Sequence, residues 1–156
     1  MFEPTIPDNN LKPQLEKILY IAKELEKSTK ELRVKFSFNP PANVEDLNSL
    51  KNKLGIDLPV GYKEFLQFSN GAILCGNTAR FYDINQVIGY NQLDNNEEYI
   101  VISSIVGDGE VLQFSKTTGK FVFFFDGEEN IYDNFYDAFD EIISLVKTKA
   151  EDYIDL

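Results

Sequence analysis

The side chains in this sequence that stand together as acid–base chemistry requires are carboxylates beside glycines. Asp108 and Glu110 flank Gly109, and Asp126, Glu128 and Glu129 surround Gly127. Such groups could bind Ca²⁺ or Mg²⁺, or supply the acid and base of glycoside hydrolysis. Neither has the spacing of an EF-hand loop. Asp-Gly is also a hairpin-turn signal, with solvated glutamates after it, and that reading carries more weight. There is no His. Its absence removes the commonest general base, most zinc sites and every Ser-His or Cys-His pair. Cys75 follows Ile73-Leu74 without a base to activate it, so a buried thiol is expected. No phosphate-binding glycine loop is present, and the carboxylates of Gly107-Asp108-Gly109-Glu110 would repel a phosphate. Tyr132 and Tyr136 read as packing residues, or as interface anchors.

Charge says more. The 156 residues carry a net charge of −11, unevenly spread: residues 1–80 are at +1 and residues 81–156 at −12. Nucleic acid and anionic lipid would repel such a chain, and a basic protein would attract it. An acidic surface also serves solubility alone. The single Cys excludes an intrachain disulfide, which suits a reducing compartment. The first ten residues lack a basic start and an apolar run, and the longest apolar run, Phe121 to Phe125, is far short of a membrane span. A soluble, cytoplasmic protein with no cofactor is expected.

The elements that must position these residues follow from periodicity. Asn10 is expected to cap a helix from Leu11 to about Leu32, with Leu11, Leu15, Ile18, Leu19, Ala22 and Leu25 on one face. Val34 to Phe38 reads as a short strand and Asn39-Pro40-Pro41 as a loop. Further strands are expected at Ala79–Asp83, Tyr99–Val106, Glu110–Ser115 and Lys120–Asp126, the last three as a meander. Ile84 to Asn91 reads as one or two helical turns before a polar loop over Gln92 to Glu98. Phe121 to Phe125 is apolar at every position, which predicts a central strand covered on both faces. A closing helix from Asp133 to about Lys147 turns Phe135, Phe139, Ile142, Ile143 and Val146 inward. The acidic residues from Ala150 on read as a frayed end.

The stretch from Asn43 to Gly71 organises the rest. Asn43 and Asp46 have the spacing of a capping box, and Leu47, Leu50 and Leu54 share a helix face that Gly55 closes. Pro59 starts a second helix, apolar through Val60, Tyr62, Phe65, Leu66 and Phe68, and Asn70-Gly71 stops it. An acidic residue (Glu45 or Asp46), then Leu54-Gly55, Leu58-Pro59, Tyr62, Phe65-Leu66 and Asn70-Gly71 resemble, in order and spacing, the N-terminal signature of the SMI1/KNR4 superfamily, also called SUKH. The resemblance runs to about Val146. It implies an α+β binding domain without an enzymatic site. Many bacterial members are immunity proteins that bind and block a toxin, often a nuclease; fungal members are scaffolds or regulators of cell-wall synthesis.

The expected fold is therefore α+β, an antiparallel or mixed sheet of four to six strands with helices packed mainly on one face. Residues 1–42 would form an N-terminal helix and linker, 43–149 the SMI1/KNR4-like domain and 150–156 an acidic tail. The expected function is docking to a basic, nuclease-type toxin. The candidate contact acids, chosen for loop position and clustering, are Glu97, Glu98, Asp108, Glu110, Asp126, Glu128, Glu129 and Asp133. A regulatory scaffold and a carboxylate-based, metal-dependent hydrolase are the alternatives.

Overall fold

The computed structural model describes residues 3–94, 97–106, 109–125 and 127–156. Among them five α-helices and seven strands follow in the order α1 (Lys12–Ser28), β1 (Ser37–Phe38), α2 (Val44–Leu54), α3 (Val60–Phe68), β2 (Ala72–Leu74), β3 (Ala79–Phe81), α4 (Ile84–Asp94), β4 (Tyr99–Ile105), β5 (Glu110–Ser115), β6 (Phe121–Phe125), β7 (Glu128–Tyr132) and α5 (Phe135–Ala150). Strand order in the sheet is chain order, and every pair is antiparallel. The α+β class holds, with seven strands in place of four to six.

The two extra strands are β2 and β7. Only three residues long, β2 ends where Cys75 and Gly76 take left-handed backbone, φ 56° and 61°. β7 begins Glu-Glu-Asn, a poor strand composition, yet each of its five residues has a partner on β6. Pairing with a neighbour overrides local preference there. β6 is thus next to an edge, and Phe124 is 39% exposed, so the expected cover on both faces is incomplete.

Helix ends follow local hydrogen bonding. In α2 the Asn43 side chain accepts from the Asp46 N–H at 2.8 Å, and the Asn43 N–H donates to the Asp46 carboxylate at 3.1 Å. Asp83 and Gln86 make the same reciprocal pair at the start of α4, at 2.9 and 2.8 Å. That cap starts α4, which runs to Asp94, past the expected Asn91. Asn10 does not cap α1. The Asn9 side chain accepts from the Leu11 N–H at 2.9 Å, while the Asn10 N–H donates to Glu64. α1 stops at Ser28, and a 3-10 turn over Leu32–Val34 leaves β1 two residues where five were expected. The chain after α5 does not fray: the N–H groups of Tyr153 and Ile154 donate to the Ala150 carbonyl, and both side chains pack on the core.

One face of the sheet meets α3 and α5. Phe81 lies 4.5 Å from Phe65 between ring centroids, Phe114 6.0 Å from Tyr62 and Phe121 5.5 Å from Phe135. Leu11, Leu15, Ile18 and Leu25 of α1 join the same core. Gly61 lets α3 approach α5, since a Cβ there would lie 2.7 Å from the Phe135 Cβ. The apolar face expected for α3 holds for Tyr62, Phe65, Leu66 and Phe68, but Val60 is 67% exposed. Two consequences can be measured. Gly71 has φ 89°, and a Cβ would sit 2.8 Å from the Asp83 amide nitrogen; Gly71→Val is expected to lower the urea-derived stability by about 2–4 kcal/mol. Tyr62 buries a hydroxyl that finds no hydrogen-bond partner among the described residues. Burial, aided by the charge of Asp83, holds its phenol well above the usual range. Tyr62→Phe should therefore leave stability unchanged or raise it by up to about 1 kcal/mol, and a clear loss would show that the hydroxyl is paired.

Candidate functional site

The meander β4–β7 divides the candidate acids between two ends of the sheet. Tyr99 pairs with Ser115 and Phe121 with Tyr132, so Glu97, Glu98 and Asp133 lie at one end. Ile105 pairs with Glu110 and Phe125 with Glu128, so Glu110, Glu128 and Glu129 lie at the other. The ends are about 14 Å apart along the five residues of β6, at the usual rise per strand residue. Asp108 and Asp126 lie outside the described residues.

The two ends differ chemically. At the first, the Glu98 carboxylate accepts from Ser115 Oγ at 2.7 Å and from Thr117 Oγ1 at 3.4 Å. Its backbone carbonyl accepts from the Lys116 N–H at 2.8 Å. Glu98 is thus engaged in holding the chain before β4 against the β5–β6 turn. Asp133 pairs with Lys120 at 3.6 Å. Lys120 thus offsets part of the negative charge of that end.

At the second end the sequence supplies no Lys or Arg between residues 106 and 115 or between 121 and 132. Glu128 and Glu129 are exposed and form no ion pair among the described residues. Glu110 is half-buried. Glu129 stands cross-strand from Phe124, and Ile131, 60% exposed, follows it on the same face. An exposed aromatic and a branched aliphatic beside Glu128 and Glu129 give this end a surface of mixed character, with apolar groups that could be desolvated and charges that could steer. Phe124 and Ile131 were not among the sequence candidates. The signal that would have found them is β7 itself, since an edge strand puts its neighbour within reach of solvent.

The interior holds polar groups with structural work. Glu64 is buried on α3; its carboxylate accepts from the Asn10 N–H at 2.8 Å and from the Tyr136 hydroxyl. Gln14 Nε2 donates to the Tyr136 carbonyl at 2.8 Å and to Asp140 at 2.7 Å. This network ties α1, α3 and α5, so the Tyr136 hydroxyl serves packing. Asn91, also buried, accepts from the Val101 N–H at 2.8 Å and donates to the Val101 carbonyl at 2.9 Å. It thereby completes the β4 edge beyond the end of the short β3.

Among the described residues no group of three or more His, Cys, Asp or Glu is placed to hold a metal ion. A concavity of about 610 Å³ lies between the second half of α1 and residues 29–38. Its walls include Leu19, Leu25, Val34 and Phe36, its rim carries both Lys and Glu, and Lys23 there pairs with Glu3 at 3.4 Å.

Comparison with known proteins places the chain in a family. The sequence model of the SMI1 / KNR4 family (SUKH-1) matches residues 41–144. The chain belongs to that family. It is also similar to the uncharacterized protein YnaB of Bacillus subtilis (strain 168), with 28% identity over 123 residues, covering 73% of this chain and 85% of YnaB. The match takes in α2 through most of α5, and so both acidic ends of the sheet. Among the described residues no helix is long and apolar enough to cross a membrane.

Cys75 is fully buried. Burial pushes its thiol up to about 11, against smaller downward pulls from the Thr78 hydrogen bond and the Lys149 charge. The raised value means that the folded protein resists forming the thiolate. Stability is fully held below the ordinary thiol range near 9 and falls as pH rises toward 11. At pH 8 a disulfide reagent should label native Cys75 at least about a hundredfold more slowly than the urea-unfolded chain. Equal rates would show an exposed, reactive thiol.

Proposed function

We propose that this chain is an immunity protein that binds one cognate toxin, of the basic nuclease type, and covers the surface with which the toxin holds its substrate. The observation that carries the reading is the base-free end of the meander, where Glu128 and Glu129 are exposed beside Phe124 and Ile131. A nuclease presents positive charge to grip phosphate, and that charge is what an acidic, nucleic-acid-repelling surface can meet. The carboxylates would speed encounter, and Phe124 and Ile131 would set how long the complex lasts. The protein would act by occlusion, without catalysis or cofactor, in the cytoplasm. Family membership supports a protein partner, and the chain's net charge supports a basic one.

The test is co-expression with the product of the adjacent open reading frame, scored by cell survival, followed by binding kinetics. Replacing Glu128 and Glu129 together by Lys should slow association at least about tenfold and flatten its salt dependence. The same change at Glu97 and Asp133, at the base-diluted end, should do much less. Equal loss from both pairs would show that the two ends do not differ in their role. If survival is unaffected while this face captures a housekeeping protein, the regulatory, scaffold-like role takes its place.

A further inference from the structure

The sheet face turned away from α3 and α5 carries a row whose order is unusual. Register pairs Arg80 on β3 with Ser104 on β4, Ser104 with Val111 on β5, and Phe124 on β6 with Glu129 on β7; the Leu112–Phe123 pair, carried one residue further, sets Val111 beside Phe124 and completes the row. Arg80 and Glu129 are exposed, and neither forms an ion pair among the described residues. Phe124 is 39% exposed and Val111 half-buried. The positive residue is two strands from β5 on one side, and the negative residue is two strands from it on the other.

Such a row is self-complementary. A two-fold axis parallel to the strands and above β5 exchanges the β3 and β7 positions and keeps the row level. Arg80 of one copy then faces Glu129 of the other, twice, Phe124 of each copy faces Ser104 of the other, and Val111 meets its own copy on the axis. Isologous pairing requires this kind of match, in which residue i meets j and j meets i. Sheets stack face to face about 10 Å apart, a gap that their inner side chains fill. Lys35 lines the concavity beside Arg80, on the same positive flank. A purely acidic face could not pair with itself in this way, since like charges would oppose.

We infer that this row, on the sheet face turned away from α3 and α5, is the centre of a homodimer interface, closed by reciprocal Arg80–Glu129 pairs around Val111 and Phe124. The inference stands apart from the proposed toxin partner. One consequence rests on that reading: Glu129 and Phe124 belong to both surfaces, so dimer and toxin would exclude each other.

Sedimentation of the full chain alone, from about 1 µM to about 300 µM, tests it, a range that covers weak interfaces. The wild type is expected to pass from monomer to dimer. Arg80→Glu and Glu129→Arg should each weaken the dimer at least about tenfold, because each variant opposes like charges twice. An equimolar mixture of the two variants restores both pairs, and so should the Arg80→Glu/Glu129→Arg double variant. Both sites are exposed, and circular dichroism verifies folding. A wild type that stays monomeric, a dimer indifferent to either reversal, or a mixture that fails to recover would each overturn the inference. None of these readings uses the toxin, so failure of the immunity assay leaves this result standing.

Discussion

The corner at Ser69-Asn70-Gly71 is where the separate elements of this fold become one body. Ser69 Oγ accepts from the Asn39 N–H at 3.0 Å and donates to the Gly71 carbonyl at 2.6 Å. Asn39 Nδ2 donates to the Asn70 carbonyl, and Asn70 Oδ1 accepts from the Ile84 N–H at 2.9 Å. The end of α3, the residue after β1, the start of β2 and the start of α4 are thus joined within three residues. Gly71 makes this possible in two ways. Its φ of 89° is open to glycine at little cost, and its missing Cβ leaves room for the Asp83 backbone. The Asn-Gly of the family signature is therefore a requirement of assembly.

That corner sets what the sheet can offer. With α3 docked and Gly61 admitting α5 close against it, one face of the sheet is closed by rings from both helices. On the opposite face the sheet keeps Arg80, Phe124, Glu129 and Ile131 exposed. The meander then distributes the charge. An antiparallel strand returns its next turn to the opposite end, so acids that are near neighbours in sequence alternate between the two ends. Glu128 and Asp133 are five residues apart in the chain, yet stand at opposite ends of β7. Pairing with Lys120 offsets one and not the other.

Helix caps, the aromatic core and the Asn-Gly corner maintain the scaffold, and the exposed side chains of the sheet and its strand ends carry little of that packing. Core packing tolerates little change in shape, whereas surface residues change at small cost to stability.

Several features were legible from the chain alone, because local chemistry decides them. The capping box of Asn43 and Asp46, the left-handed Gly55 and the inward face of α5 all appear where spacing puts them. The Asp83–Gln86 pair, with the spacing of a cap, was equally readable and marks where α4 starts. Net charge, the absence of His and the bias of the second half are properties of the sequence itself. What only the tertiary structure decided is whatever depends on a neighbour distant in the chain. β7 is a strand because β6 offers it hydrogen bonds; Glu98 is spent internally because Ser115 reaches it; Phe124 meets solvent because the sheet has an edge nearby. Arg80 and Glu129 share a row only through the register of five strands. Hydrophobic periods and caps act over a few residues, whereas pairing and exposure are settled by which segments meet.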